Sequence, residues 1–158
     1  LVKNAAKVMV VVFIIAVTLH GYTSYFVYAA NSPENYYAFR SDLTVVSNYI
    51  NNKFDNSNAN GKKDNTFLVL DKFSVQTVDY LTSLDGKHPQ NPINQPYIQV
   101  DPEDSWKLSG LKGGDQIIFC QSSIFDIPKF KNSHPNAKLE REARNKFGQT
   151  VMAIYRIY

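Results

Sequence analysis

The hydrophobic positions fall into three rhythms along the chain. From Val8 to Ala30 there is no charged residue, and the stretch VMVVVFIIAVTLHGYTSYFVYAA is as long as the roughly 20 residues a helix needs to cross a bilayer. Lys3 and Lys7 precede it and Glu34 is the first charge after it, so the positive-inside rule places residue 1 in the cytoplasm and the chain beyond Asn31 outside the cell membrane. Tyr22, Tyr25, Phe26 and Tyr28 gather toward the outer end, where amphipathic rings favour the headgroup layer. His20, Thr23 and Ser24 share one helical face. Such a polar stripe turns inward in a multi-span protein, which makes this the last helix of a larger bundle. A second reading stays open. A basic start, an apolar core from Val8 to Leu19 and small residues at Val27 and Ala29 or Ala30 also describe a signal peptide.

After the apolar run the rhythm changes to that of an amphipathic helix. Ser32-Pro33-Glu34 is a helix start, with a capping hydroxyl, a proline whose missing N–H is harmless and an acid at the positive end of the dipole. Tyr36, Phe39, Leu43, Val46 and Ile50 recur at spacings of three and four, which predicts one helix to Phe54. Residues 55–65, DNSNANGKKDN, read as a loop.

The third rhythm is that of short buried strands. Thr66 to Leu70 is a strand ending at Asp71, and Ser74 caps a helix that turns Val75, Val78, Leu81 and Leu84 inward and ends at Asp85-Gly86. His88 to Pro96 is a proline-punctuated loop. Tyr97 to Val100 is a second strand, also ending in an acid, Asp101. Ser105 to Leu111 is a short helix or turn that packs Trp106, Leu108 and Leu111, and Lys112-Gly113-Gly114-Asp115 turns into the strand Gln116 to Cys120. The 138–146 segment reads as either helix or strand. With a turn at Phe147-Gly148-Gln149 and alternation from Thr150 to Tyr158, a terminal hairpin is the better reading. The order predicts an α/β fold: one transmembrane helix over residues 1–31, then an extracytoplasmic, three-layer-like α/β domain over 32–158 with a mostly parallel sheet and a C-terminal hairpin.

Composition narrows the function classes. The 158 residues are 44% hydrophobic and 20% charged, which excludes collagen-like and highly charged disordered chains. The net charge of +3 owes two cations to Lys3 and Lys7, so the remainder is nearly neutral and carries no electrostatic footprint for nucleic acid. The chain begins with Leu rather than Met, which reads as a fragment or a processed product. The lone Cys120 lies within an apolar strand and reads as a buried, inert thiol. His20, His88 and His134 are scattered, no metal-binding spacing appears, and the Gly113-Gly114 turn precedes a strand, the wrong place to cradle phosphate. No cofactor is expected.

One spatial argument points to a site. If the three central strands are parallel, their carboxyl ends bring Asp71, Asp101, Gln121, Ser122 and Ser123 to one edge, where open α/β sheets bind ligands. Trp106 is placed to stack on a sugar there. The plainer alternative is that Asp71 and Asp101 cap the following turns and Trp106 packs in the core.

The order of these parts resembles the carboxyl-terminal end of bacterial membrane glycosyltransferases of the GT-C superfamily, in particular the protein O-mannosyltransferase-like group. The corresponding pieces are the apolar helix, the amphipathic helix ending Ser47-Asn48-Tyr49-Ile50, the strand Phe67 to Asp71, the stretch LSGLKGGDQIIF over 108–119 and the close RNKFGQTVMAIYRIY. The resemblance implies transfer of a sugar from a polyprenyl-phosphate donor on the outer membrane face. The family's catalytic acids lie in an early loop between membrane helices to which nothing here corresponds, so no catalytic residue is carried over. The expectation is an accessory region whose partners are the lipid bilayer, the remaining membrane domain and a lipid-linked sugar with its acceptor. The alternative is a secreted or membrane-tethered binding domain with no enzymatic role.

Overall fold

A computed structural model describes residues 2–60, 64–83 and 96–158. The chain divides into two units, Leu1–Arg40 and Ser41–Tyr158.

In the first unit, α1 (Val2–Tyr22) continues into a π-helical turn (Thr23–Tyr28) and a 3-10 turn (Ala29–Asn31). The segment Ala6–Asn31, 26 residues, is long and apolar enough to cross a membrane, and its side chains lie outside any core. Widening to the π form begins at Thr23, whose hydroxyl donates to the Leu19 and His20 carbonyls at 2.9 and 3.0 Å and so competes with the backbone ladder. A short α2 (Pro33–Ala38) follows, with Ser32 Oγ accepting from the Asn35 amide at 3.2 Å as the sequence predicts.

The single helix expected from Ser32 to Phe54 is interrupted. Arg40 adopts a left-handed φ of 50°, which ends α2 and lets α3 start afresh at Asp42 (Asp42–Asn60). Leu43, Val46 and Ile50 are buried in the second unit, whereas Phe39 is exposed and belongs to the first. At its other end α3 runs through 55–60, which the sequence reads as loop. Asn and Asp lower helix propensity only modestly, and the first strong breaker is Gly61.

The second unit is built on a five-stranded sheet of order β2-β1-β3-β5-β4. β1 (Thr66–Val69) runs parallel to β2 (Ile98–Val100) on one side and to β3 (Gln116–Cys120) on the other. β5 (Thr150–Ile157) is antiparallel to β3, and β4 (Ala137–Arg144) closes the hairpin at the edge. The mostly parallel sheet with a terminal hairpin is as expected, and 137–144 is strand rather than helix.

Alternation sends side chains of each strand to opposite layers. On one face α3 and α4 (Lys72–Ser83) pack Leu43, Val46, Ile50 and Val78 against Leu68, Leu70, Ile118, Cys120, Met152 and Ile154. On the other, Ile117, Phe119, Ala153, Tyr155 and Ile157 meet Phe130 of α5 (Ile127–Ser133), with Leu108, Leu111, Ile124 and Ile127 packed around them. The segments supplying that layer are a 3-10 helix at Pro102–Lys107, another at Gln121–Asp126, and α5; the last two have no counterpart in the sequence reading. Pro128 at the start of α5 is the signal that marks it. The expected helix end at Leu84 and Asp85-Gly86, and the loop from His88 to Gln95, lie outside the described residues.

Candidate functional site

The parallel strands bring the sequence-predicted residues to one end of the sheet. Val69 pairs with Phe119 and with Val100, so Asp71 and Gln121 follow neighbouring strand ends, and Asp101 follows the third. Their side chains are used in different ways. Asp71 Oδ1 accepts from the Phe73 and Ser74 amides at 3.1 and 2.9 Å, and so caps α4 in place of the expected Ser74. Asp101 accepts from Gln99 Nε2 at 3.0 Å and stands 3.6 Å from the Lys72 ammonium. Ser123 is fully buried; its hydroxyl accepts from the Cys120 amide and donates to the Val69 carbonyl at 2.8 Å, stitching β3 to β1. Ser122 is half-buried beside it. Gln121 Oε1 is shielded from water with no hydrogen-bond partner among the described residues. Trp106 is half-buried in the layer formed by the 3-10 segments, with the Lys129 ammonium 4.6 Å from its ring centre.

The opposite end of the sheet holds a network that sequence reasoning missed. Gln116, buried at the head of β3, accepts from the Tyr49 hydroxyl at 3.1 Å and donates to Glu140 Oε2 at 2.6 Å. Glu140 sits where the β4–β5 register shifts between Leu139 and Arg141, and that bulge turns its carboxylate toward its partners. Arg156 grips the carboxylate with two bonds of 2.9 Å and lies 3.7 Å from Asp64. Lys53, one helical turn beyond Tyr49 on α3, donates to Thr66 Oγ1. Asp115 completes the end by accepting from the Asn65 and Lys112 amides at 3.1 and 2.8 Å. The available signals were the four-residue spacing of Tyr49 and Lys53, and the polar Gln116 and Arg156 in otherwise buried strands.

The electrostatics of this end follow from burial and pairing. The hydrogen bonds from Arg156 hold the Glu140 carboxyl below the usual carboxylate range. Burial lowers the Lys53 ammonium, with repulsion from Arg156 acting the same way, and burial raises the Tyr49 hydroxyl. Elsewhere, burial and a hydrogen bond to Asp79 raise the Tyr97 hydroxyl, which ties β2 to α4.

Among the described residues, no group of three or more His, Cys, Asp or Glu side chains stands close enough to hold a metal ion. His134 is held by the Leu108 and Phe130 carbonyls at 2.9 and 3.2 Å, and Cys120 is buried in β3. The amino end can knit strands together. The carboxyl end places acids, an amide and the Ser122 hydroxyl where parallel sheets leave room for a ligand, while the Ser123 hydroxyl is committed to the backbone. Comparison with protein-family models, with curated proteins and with solved structures found no match.

Proposed function

We propose that the chain is the terminal membrane helix and outward-facing α/β domain of a membrane glycosyltransferase that takes its sugar from a polyprenyl-phosphate donor. The domain acts as an accessory that covers the catalytic face or seats the acceptor, with residue 1 cytoplasmic and the domain extracytoplasmic. The observation that carries this reading is the combination in one chain of the 26-residue apolar segment Ala6–Asn31 with a folded α/β unit beyond it. His20 on that segment is exposed, and a polar ring within a membrane-crossing helix calls for neighbouring helices. Asp71, Asp101, Gln121 and Ser122 at the carboxyl end supply the acceptors and donors a sugar headgroup or an acceptor would need.

Expression of residues 1–158 alone, and joined to the reading frame upstream of Leu1, tests this. Hexose transfer from a polyprenyl-phosphate hexose by the joined chain, and none by residues 1–158, is the expected outcome. Turnover by residues 1–158 alone overturns the accessory role. An upstream frame without further apolar spans overturns the transferase assignment and favours a tethered binding domain.

A further inference from the structure

Four segments lie at the carboxyl end of the parallel strands, and each carries an aromatic residue within four positions of a lysine in the chain. Lys72 and Phe73 follow β1, Trp106 and Lys107 follow β2, and Phe125 with Lys129 follows β3. The β4–β5 turn reaches the same end, because Cys120 pairs with Met152 near the start of β5, and it adds Lys146 and Phe147. The Lys107 ammonium lies 5.7 Å from the Trp106 ring centre, and that of Lys146 lies 5.2 Å from Phe147. Phe73 and Phe125, at 87% and 85% exposure, are the most exposed large apolar side chains described in the second unit. A single exposed phenylalanine is ordinary. These two stand on different layers, one on α4 and one on the 3-10 helix after β3, yet at the same end of the sheet.

Three of the four lysines at this end stand beside an acid. Lys72 faces Asp101 at 3.6 Å, Lys107 faces Asp104 at 2.8 Å, and Lys129 faces Asp126 at 3.6 Å. Such an edge carries little net charge to attract an anionic polymer or an anionic lipid, and what it presents is apolar ring surface among paired charges.

We propose that this edge docks on the surface of a lipid bilayer, with Phe73 and Phe125 entering the interfacial layer and Trp106 at headgroup depth. The inference rests on the membrane anchoring given above. The apolar segment ends at Asn31, and only the short α2 and the turn at Arg40 separate it in the chain from the second unit, so a bilayer is the one partner always close at hand. Aromatic rings with lysines that keep their ammonium groups in water suit that layer. Because three of the four lysines stand beside acids, docking is driven by apolar area; it needs no anionic lipid and persists at high salt.

The test uses the full chain reconstituted in phosphatidylcholine vesicles, with a nitroxide on Phe73→Cys or Phe125→Cys and a control label on exposed Asn136→Cys at the opposite end. Cys120 is fully buried and takes up no label. Collision rates with oxygen relative to a water-soluble nickel chelate are expected to rise severalfold at 73 and 125 over those at 136, unchanged in high salt. Phe73→Ser should lower the ratio at 125 while the chain still floats with the vesicles. Labels at 73 and 125 as open to the nickel chelate as that at 136, in a chain that floats, overturn the inference and leave the anchoring intact. Loss of flotation itself overturns the anchoring.

Discussion

The two ends of the sheet use their polar groups in opposite ways. At the amino end, Tyr49, Gln116, Glu140, Arg156 and Asp64 form one linked chain of hydrogen bonds and an ion pair, each group answering another. At the carboxyl end the hydrogen bonds are separate caps and stitches, one amide oxygen is left without a described partner, and two phenyl rings stand in solvent. A buried polar group gains by pairing internally, because leaving it unmade is costly, so the amino end reads as structure. Exposed apolar surface contributes nothing to folding where it stands, so the carboxyl end reads as the working face.

Substitutions can break or sharpen this contrast, read as urea unfolding of the full chain in detergent. The scale is set by neither end. Phe119→Ala in the central strand, where the ring meets Phe130 and Tyr155 at 5.2 and 6.0 Å, should cost about 3–5 kcal/mol. Gln116→Ala at the amino end should cost about 2–4 kcal/mol, since it strands both the Tyr49 hydroxyl and part of Glu140. Gly114→Ala should cost about 1–3 kcal/mol. Gly114 has a φ of +103°, and a Cβ there would sit 2.8 Å from an Asp64 carboxylate oxygen.

Acid should weaken the amino end by a smaller amount. The folded Glu140 carboxyl lies below its ordinary value of 4.5, chiefly through its bonds from Arg156. Its contribution is therefore present above that pH and lost as pH falls through the folded value. The urea midpoint should drop on acidification in this range, and Arg156→Met should flatten the drop; an unchanged slope would remove Glu140 from the account. Smallest of all, Phe73→Ser and Phe125→Ser should shift stability by no more than about 0.5 kcal/mol. A large loss in either would show that these rings support the fold and would erase the contrast between the two ends.

Much of the architecture was legible in the chain because the core strands carry strong local patterns. Thr66 to Leu70, Gln116 to Cys120 and Thr150 to Tyr158 are apolar or alternating runs bounded by turn residues, and each is a strand within a residue or so of its expected limits. Boundaries failed where a single backbone angle decided them. Nothing in Phe39-Arg40-Ser41 announces a left-handed residue, yet Arg40 divides the expected helix in two. Segment 121–133 escaped notice because a 3-10 turn followed by a seven-residue α-helix is too short to show the period that marks longer helices.

The candidate site divides in the same way. Asp71, Asp101 and Gln121 could be placed at one end because parallel pairing of adjacent strands carries their termini together. The network around Glu140 depends on a bulge, and it joins residues 49 to 156 through contacts of high sequence separation that no local pattern encodes. The exposed phenylalanines were visible as letters but not as neighbours. Only the strand order reveals that Phe73 and Phe125 share an end.

The central claim is that one apolar helix holds this domain at a membrane's outer face. Ser109 is exposed and Cys120 is buried, so Ser109→Cys gives the full chain a single reactive thiol. Intact cells treated with a membrane-impermeant maleimide, then washed at alkaline pH, provide the most direct measurement. The account predicts labelled chain in the washed membrane pellet. Labelled chain released into the wash, or labelling only after the cells are broken, would contradict it.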